Sequence, residues 1–285
     1  MVIKRQKPRS PESIRDENER KYYSLPNSLS YSMKTALTIA GSDPTGGAGL
    51  QADMKVFRAS GVHGLSVVAA ITAQNTQGVD AIFSVDKNAI KKQFETLLSD
   101  IKPDALKIGM LYTVDAVEIV SDMIKKYSLQ NVVIDPVTIS SSGTPLVEDG
   151  TLDAIKRTLF PLSKVITPNI YEASVLTGIM IEDKKGMEEA ARVLKDMGTE
   201  VVVITGGHLE EIAVDLYYDG DFQAIESEKL KGSFHGTGCA FSATIAALLA
   251  LDHTPLEAAR MAKEFVHNAI KKAFHPGKGM GILNI

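Results

Sequence analysis

The chain has 285 residues, 44% of them hydrophobic, enough to bury the core of one large domain or two small ones. A formal net charge of −4 gives no bulk attraction for nucleic acid, and a single cysteine excludes an internal disulfide framework and suits a reducing, cytoplasmic setting. No apolar run approaches the roughly 20 residues that span a bilayer as a helix, so no membrane partner is expected.

Residues 1–33 stand apart. Lys4, Arg5, Lys7, Arg9, Arg15, Arg20 and Lys21 mix with Glu12, Asp16, Glu17 and Glu19, with Pro8, Pro11 and Pro26 between them. There is no apolar core for a secretory signal, and the acidic residues argue against a transit peptide. The stretch reads as a disordered tail ahead of a domain at 34–285, with Met33 a candidate natural start.

A short β-leaning run, Ala36-Leu37-Thr38-Ile39-Ala40, stops at Gly41-Ser42-Asp43-Pro44-Thr45-Gly46-Gly47-Ala48-Gly49, and a helical pattern follows over 50–59. Strand, glycine loop and helix open a βαβ unit. No Lys-Ser/Thr follows the glycines, so the loop is not a P-loop, but it can bring backbone close to a ligand. The apolar run 65–73 ends in Gln74-Asn75-Thr76. Helical patterns over 88–98, 114–126, 152–159 and 187–197 then alternate with apolar strands at 105–108, 132–134, 164–166 and 201–204. Segments 212–218 and 222–225 flank Asp219-Gly220, a hairpin turn signal. Thr254-Pro255-Leu256-Glu257 has the form of a capping box and opens an amphipathic helix reaching about residue 274. Continuous apolar strands alternating with helices predict an α/β fold. Its sheet should be mostly parallel, covered by helices on both faces, with an antiparallel hairpin near one edge.

Polar residues recur where strands end: Asp43, Gln74, Asp135, Asn169 with Glu172, and Thr205-Gly206-Gly207. In a parallel sheet these positions converge on one edge, the usual place for a ligand. Asp135 and Glu172 suit a hydrated Mg²⁺ shared with substrate phosphates. Gly236-Thr237-Gly238-Cys239 precedes the uncharged run 240–249, so free N–H groups at a buried helix start can hold an anion. The only cysteine sits in that first turn, where a thiol's pKa is expected to fall. Together these pieces point to ATP-dependent phosphoryl transfer.

Residues 35 to about 283 resemble the hydroxymethylpyrimidine/phosphomethylpyrimidine kinases of thiamine biosynthesis, in the ribokinase-like superfamily. The resemblance is carried by the glycine loop from Ala40 through Asp53, by Thr72-Ala73-Gln74-Asn75-Thr76, and by Lys107-Ile108-Gly109-Met110-Leu111. Asp135-Pro136-Val137, the stretch from Thr167 to Ala173, and His235-Gly236-Thr237-Gly238-Cys239 complete it. It implies a ribokinase-like fold and MgATP-dependent phosphorylation of 4-amino-5-hydroxymethyl-2-methylpyrimidine and then of its monophosphate. By the same resemblance Gly41, Ala48, Asp53, Thr72 and Gln74 line the pyrimidine pocket, with Gln74 on the ring's amino and nitrogen edge. Lys263 meets the phosphorylated substrate. Asp135, Asn169 and Glu172 lie near Mg²⁺ and the ATP phosphates, and Thr205, Gly206 and Gly207 belong to the nucleotide loop. Gly236, Thr237 and Gly238 form the anion hole, and Cys239 takes the position of the superfamily's catalytic base. The superfamily's habit also implies a homodimer. Two departures stand out: Thr205 where the family commonly has Lys, and Thr138 where it commonly has Met. Pyridoxal kinase is the nearest rival activity, and a non-catalytic pyrimidine-binding module is a rival of another class.

Overall fold

The structure, a computed structural model, describes residues 33–140, 143–206 and 212–285; the expected tail, apart from Met33, lies outside them, as does Gly207. Nine strands form one sheet: β1 (Thr35–Ser42), β2 (His63–Asn75), β3 (Gly78–Ser84), β4 (Ala105–Ile108), β5 (Val132–Ile134), β6 (Val165–Ile166), β7 (Val201–Gly206), β8 (Ile212–Tyr218) and β9 (Phe222–Glu228). Their order is β3-β2-β1-β4-β5-β6-β7-β8-β9. The stretch from β2 to β7 is parallel throughout. At the far edge β8 and β9 form the expected antiparallel hairpin.

The near edge adds a second antiparallel pairing to the one expected. β3 pairs antiparallel with β2, so antiparallel strands close both ends of the sheet. β3 escaped notice because it is an edge strand without a clean apolar face; Phe83 is 58% exposed. β2 outruns its parallel partner: β1 follows it only as far as Ile71, and Thr72 to Asn75 pair with β3 alone. The β2–β3 hairpin therefore projects past the carboxyl end of the sheet.

Strand residues alternate between two apolar cores. Leu37, Ile39, Leu106, Ile108, Ile134 and Ile166 face helices α2 (Lys87–Leu98), α3 (Val114–Tyr127), α5 (Ile170–Thr177) and α6 (Lys184–Asp196). That face also carries α4 (Thr151–Ala154), which runs into a π turn at Ile155–Leu159. On the opposite face, the small side chains Ala36 and Ala105 let α7 (Thr237–Ala250) lie close to the sheet, flanked by α1 (Gly49–Ala59) and α8 (Pro255–Lys271). Residues 240–250 of α7 are all buried, which explains why this helix is apolar on every side. Helices thus cover both faces, as expected. The final helix ends three residues short of expectation, at Lys271, and its capping box is formed: the Thr254 hydroxyl accepts from Glu257 N while the Glu257 carboxylate accepts from Thr254 N.

Strand order reverses between β2 and β4 around β1, creating the crevice at which open α/β sheets hold ligands. Two tertiary links bring distant segments there. A two-stranded ribbon joins β10 (Phe234–His235) to β11 (Gly281–Ile282), and Thr76, just beyond β2, accepts from Met280 N at 3.0 Å. Gly236, at φ +84°, packs so tightly that a Cβ there would collide with the Gly47 carbonyl. Gly236→Ala should therefore cost about 2–4 kcal/mol, from left-handed strain plus the clash. Urea unfolding measures it; a midpoint equal to that of the parent chain would contradict this packing.

Candidate active site

The glycine loop between β1 and α1 is organised by one buried carboxylate. Asp43 accepts from Thr45 N at 2.8 Å, Thr45 Oγ1 at 2.9 Å and Ala48 N at 2.8 Å. Burial pushes its pKa up, but His235 and Thr45 outweigh that and hold the group below the usual carboxylate range. Gln51 braces the loop from α1, accepting from Asp43 N and donating to Ser42 Oγ. At Gly49, φ is +58° and a Cβ would run into the Gly41 carbonyl, so glycine is what lets the loop fold back on itself.

Beside this loop lies a cavity of about 190 Å³ at the carboxyl ends of the strands. Its walls carry Gly41, Ala48, Thr72, Gln74, Asp135, Asn169, Glu172, Thr205, Gly236, Thr237, Gly238 and Cys239. Residues from six separate stretches therefore converge as the strand-end pattern predicts. Gln74 stands beside His235, and Ser242 of α7 lies against Asp135.

Three expected contacts are not in that wall. Asp53 is fully buried beneath it, accepting from Thr38 Oγ1 at 2.6 Å and paired with Lys107 Nζ at 3.0 Å. Lys263 points instead to Asp215, Nζ to Oδ1 2.8 Å, and the same oxygen accepts from Gly206 N at 3.1 Å. Gly206 is committed to that bond and to close packing, since a Cβ there would meet the Val214 carbonyl. Lys263 and Asp215 thus brace the end of β7 from behind, while Thr205 beside them reaches the cavity.

Asn169 and Glu172 line the cavity and also cap α5 reciprocally: Asn169 Oδ1 accepts from Glu172 N, and Glu172 Oε2 accepts from Asn169 N, each at 2.9 Å. Burial and the neighbouring Asp135 charge push the Glu172 carboxyl up to about 8. Asp135 is likewise raised by burial, against Lys107 and the Ser242 hydroxyl, which donates to Oδ2 at 3.1 Å.

Cys239 reverses its expectation. Burial pushes the thiol up to about 12; Lys107 opposes this, and the Asp135 and Asp53 charges add to it. A helix start supplies roughly half a positive charge, too little against desolvation and two carboxylates.

Sequence reasoning assigned no role to Lys107 and His235, though both lie in stretches that carry the resemblance, and it did not single out Ser242. Lys107 is the plainest signal in retrospect: a lysine inside the apolar strand Ala105-Leu106-Lys107-Ile108 has no exposed face to occupy. Its Nζ lies 3.0 Å from Asp53 and 4.0 Å from Asp135. Burial alone would lower its pKa, but Asp53 above all, with Asp135, raises it, so the ammonium stays charged.

A family model described as phosphomethylpyrimidine kinase matches residues 43–284. A hydroxymethylpyrimidine/phosphomethylpyrimidine kinase from Staphylococcus aureus (strain MSSA476) is 40% identical over 88% of this chain and 93% of its own. Among solved structures, an ADP complex of Bacillus subtilis pyridoxal kinase matches with TM-score 0.82 at 40% identity, covering 89% of this chain and 97% of that one. A phosphomethylpyrimidine kinase from Clostridium difficile matches with TM-score 0.75 at 40% identity, over 83% and 99%. With its glycine loop, its strand-end polar groups and its Gly-Thr-Gly-Cys helix start assembled on a ribokinase-like sheet, the chain belongs to the phosphomethylpyrimidine kinase family.

Proposed function

We propose that the protein, as a kinase of this family using ATP, phosphorylates the hydroxymethyl group of 4-amino-5-hydroxymethyl-2-methylpyrimidine. It then phosphorylates the resulting monophosphate, in thiamine biosynthesis. The observation that carries this reading is the joining, in one cavity, of a ring-edge amide at Gln74 and the anion-binding helix start at Gly236–Cys239. The acceptor's ring packs beside Gly41, Ala48 and Thr72, and its hydroxymethyl group points toward Cys239. N–H groups at the start of α7 face the charge that builds on the transferred phosphoryl group. The kinase unit is residues 34–285, which cluster together as one compact unit.

Among the described residues no group of three His, Cys, Asp or Glu could hold a metal by itself. Two carboxylates raised by burial, Asp135 and Glu172, the second also by the charge of the first, fit Mg²⁺ that takes its remaining ligands from water and from ATP. The ion would neutralise charge between the phosphates. Our reading of assembly is a homodimer in the cytoplasm, supported by Ile71 and Phe83, 51% and 58% exposed on the β2–β3 edge. No helix among the described residues is long and apolar enough to cross a membrane.

An ATP-dependent assay that follows mono- and diphosphate separately tests the activity. No ADP release with this acceptor would sink it. The match to a pyridoxal kinase structure favours pyridoxal as second acceptor, and kcat/KM for the two rings ranks them.

The first step must remove a proton from an alcohol, whereas the second attacks through an oxygen that is already ionised. If Cys239 Sγ takes that proton, Cys239→Ala slows the first step about 10²–10⁴-fold and the second far less. Because the resting thiol is held protonated, up to about 12, the first step should also quicken as pH rises above neutrality while the second stays flat. Equal losses, or equal pH slopes, would leave Cys239 a packing role.

Glu172 makes metal-free stability depend on pH. Its folded-state pKa, about 8, lies above the value of an unfolded glutamate, so the folded chain holds a proton that the unfolded chain releases. Stability should therefore fall between about pH 5 and about pH 8, and Glu172→Gln should flatten the fall. Urea midpoints across that range check this; an undiminished slope in the variant would contradict it.

A further inference from the structure

At the substrate end of the cavity, one set of hydrogen positions satisfies the polar atoms best. His235 Nε2 lies 2.9 Å from Asp43 Oδ2 and 2.9 Å from the nitrogen of the Gln74 amide. Asp43 is held ionised by the loop it organises and can only accept, so Nε2 carries the proton. A protonated Nε2 and an amide NH₂ are both donors and cannot bond each other. A half-turn of the Gln74 amide removes the conflict. Its carbonyl oxygen then shares the single Nε2–H of His235 with Asp43 Oδ2 in a three-centre bond, and its NH₂ donates to Thr72 Oγ1, which stands 3.3 Å from that end of the amide. Thr72 can receive this bond because its own hydrogen goes to Ser42 O at 2.9 Å. The second ring nitrogen, Nδ1, is buried and has no partner among the described residues. Left bare, it strands no N–H group.

We propose that His235, held by Asp43, is a positioning residue that decides which end of the Gln74 amide faces the acceptor ring. This rests on the reading of the cavity as the acceptor pocket. With its oxygen pinned by His235 and one N–H on Thr72, the amide keeps one N–H to donate and one lone pair to accept. That fixed pair complements a ring nitrogen beside an exocyclic amino group. A ring lacking an adjacent acceptor and donor meets only half of it. His235 therefore selects for an aminopyrimidine edge.

The test begins on the ligand-free full chain. Long-range ¹H–¹⁵N NMR of the imidazoles, with the His235 signals assigned by their loss in His235→Phe, reads the tautomer directly. We expect a proton on Nε2 and a bare Nδ1; a proton on Nδ1 overturns the assignment. In steady-state assays His235→Phe should raise KM for hydroxymethylpyrimidine about 10- to 100-fold and leave KM for ATP unchanged. His235→Gln, which sets an amide N–H where Nε2–H stands, should recover most of the loss. An unchanged acceptor KM in His235→Phe, or equal rises for both substrates, overturns the positioning role. The expected tautomer in a chain that phosphorylates no acceptor supports the hydrogen-bond assignment and overturns the kinase reading instead.

Discussion

A fully buried lysine ammonium is the constraint around which this site is built. Lys107 rises from the middle of β4 and meets Asp53 of α1 and Asp135 beyond β5, so one charge ties two sheet positions and a helix together. Ionising any of these groups in an apolar interior is costly by itself. The ammonium holds its charge because it faces two carboxylates, and they in turn have it as their near cation. Space for it comes from Gly109, where a Cβ would lie 2.7 Å from Nζ. Because Asp135 forms cavity wall and Asp53 lies beneath it, the same link sets both the height of the floor and the electrostatics above it.

From that floor upward, the cavity is closed by segments far apart in the chain. Asp43 folds the glycine loop, His235 crosses from the entrance of α7 to reach it, and Gly236 lets the two loops touch. The C-terminal ribbon binds the α7 entrance to the turn after β2. The price of this closure is paid in backbone freedom: glycine is needed at Gly49 and Gly236, where φ is positive and another carbonyl is in the way. The hydrogen-bonding groups of the cavity wall are thereby held in place by the protein's own contacts.

Much of the fold was legible because buried parallel strands are continuous apolar runs, and the helices between them announce themselves by caps and periodicity. β3 was not legible, since an exposed edge strand is under little pressure to show a pattern. Convergence of Asp43, Gln74, Asp135, Asn169, Glu172 and Thr205 followed from strand direction alone. Depth did not. Asp53 and Lys263 occupy neighbourhoods that sequence resemblance identifies, yet the fold turns both away from the cavity toward ion partners. Cys239 shows the same limit in energetic form: its place at a helix start was readable, but the burial that outweighs the helix dipole, and the carboxylates from the end of β5 and from α1 that add to it, were not. Lys107, the centre of the arrangement, stood in a stretch that carries the resemblance, but its role was not legible until Asp53 and Asp135 were in place.

A double-mutant cycle between Lys107→Met and Asp53→Leu, read by urea unfolding, tests the central claim most directly. If the buried ion link organises the site, each single variant loses about 3–5 kcal/mol, because a charge is left alone in the interior, and the double variant regains most of that loss. Losses that simply add would contradict it, and Lys107 would then be only a side chain that fills space.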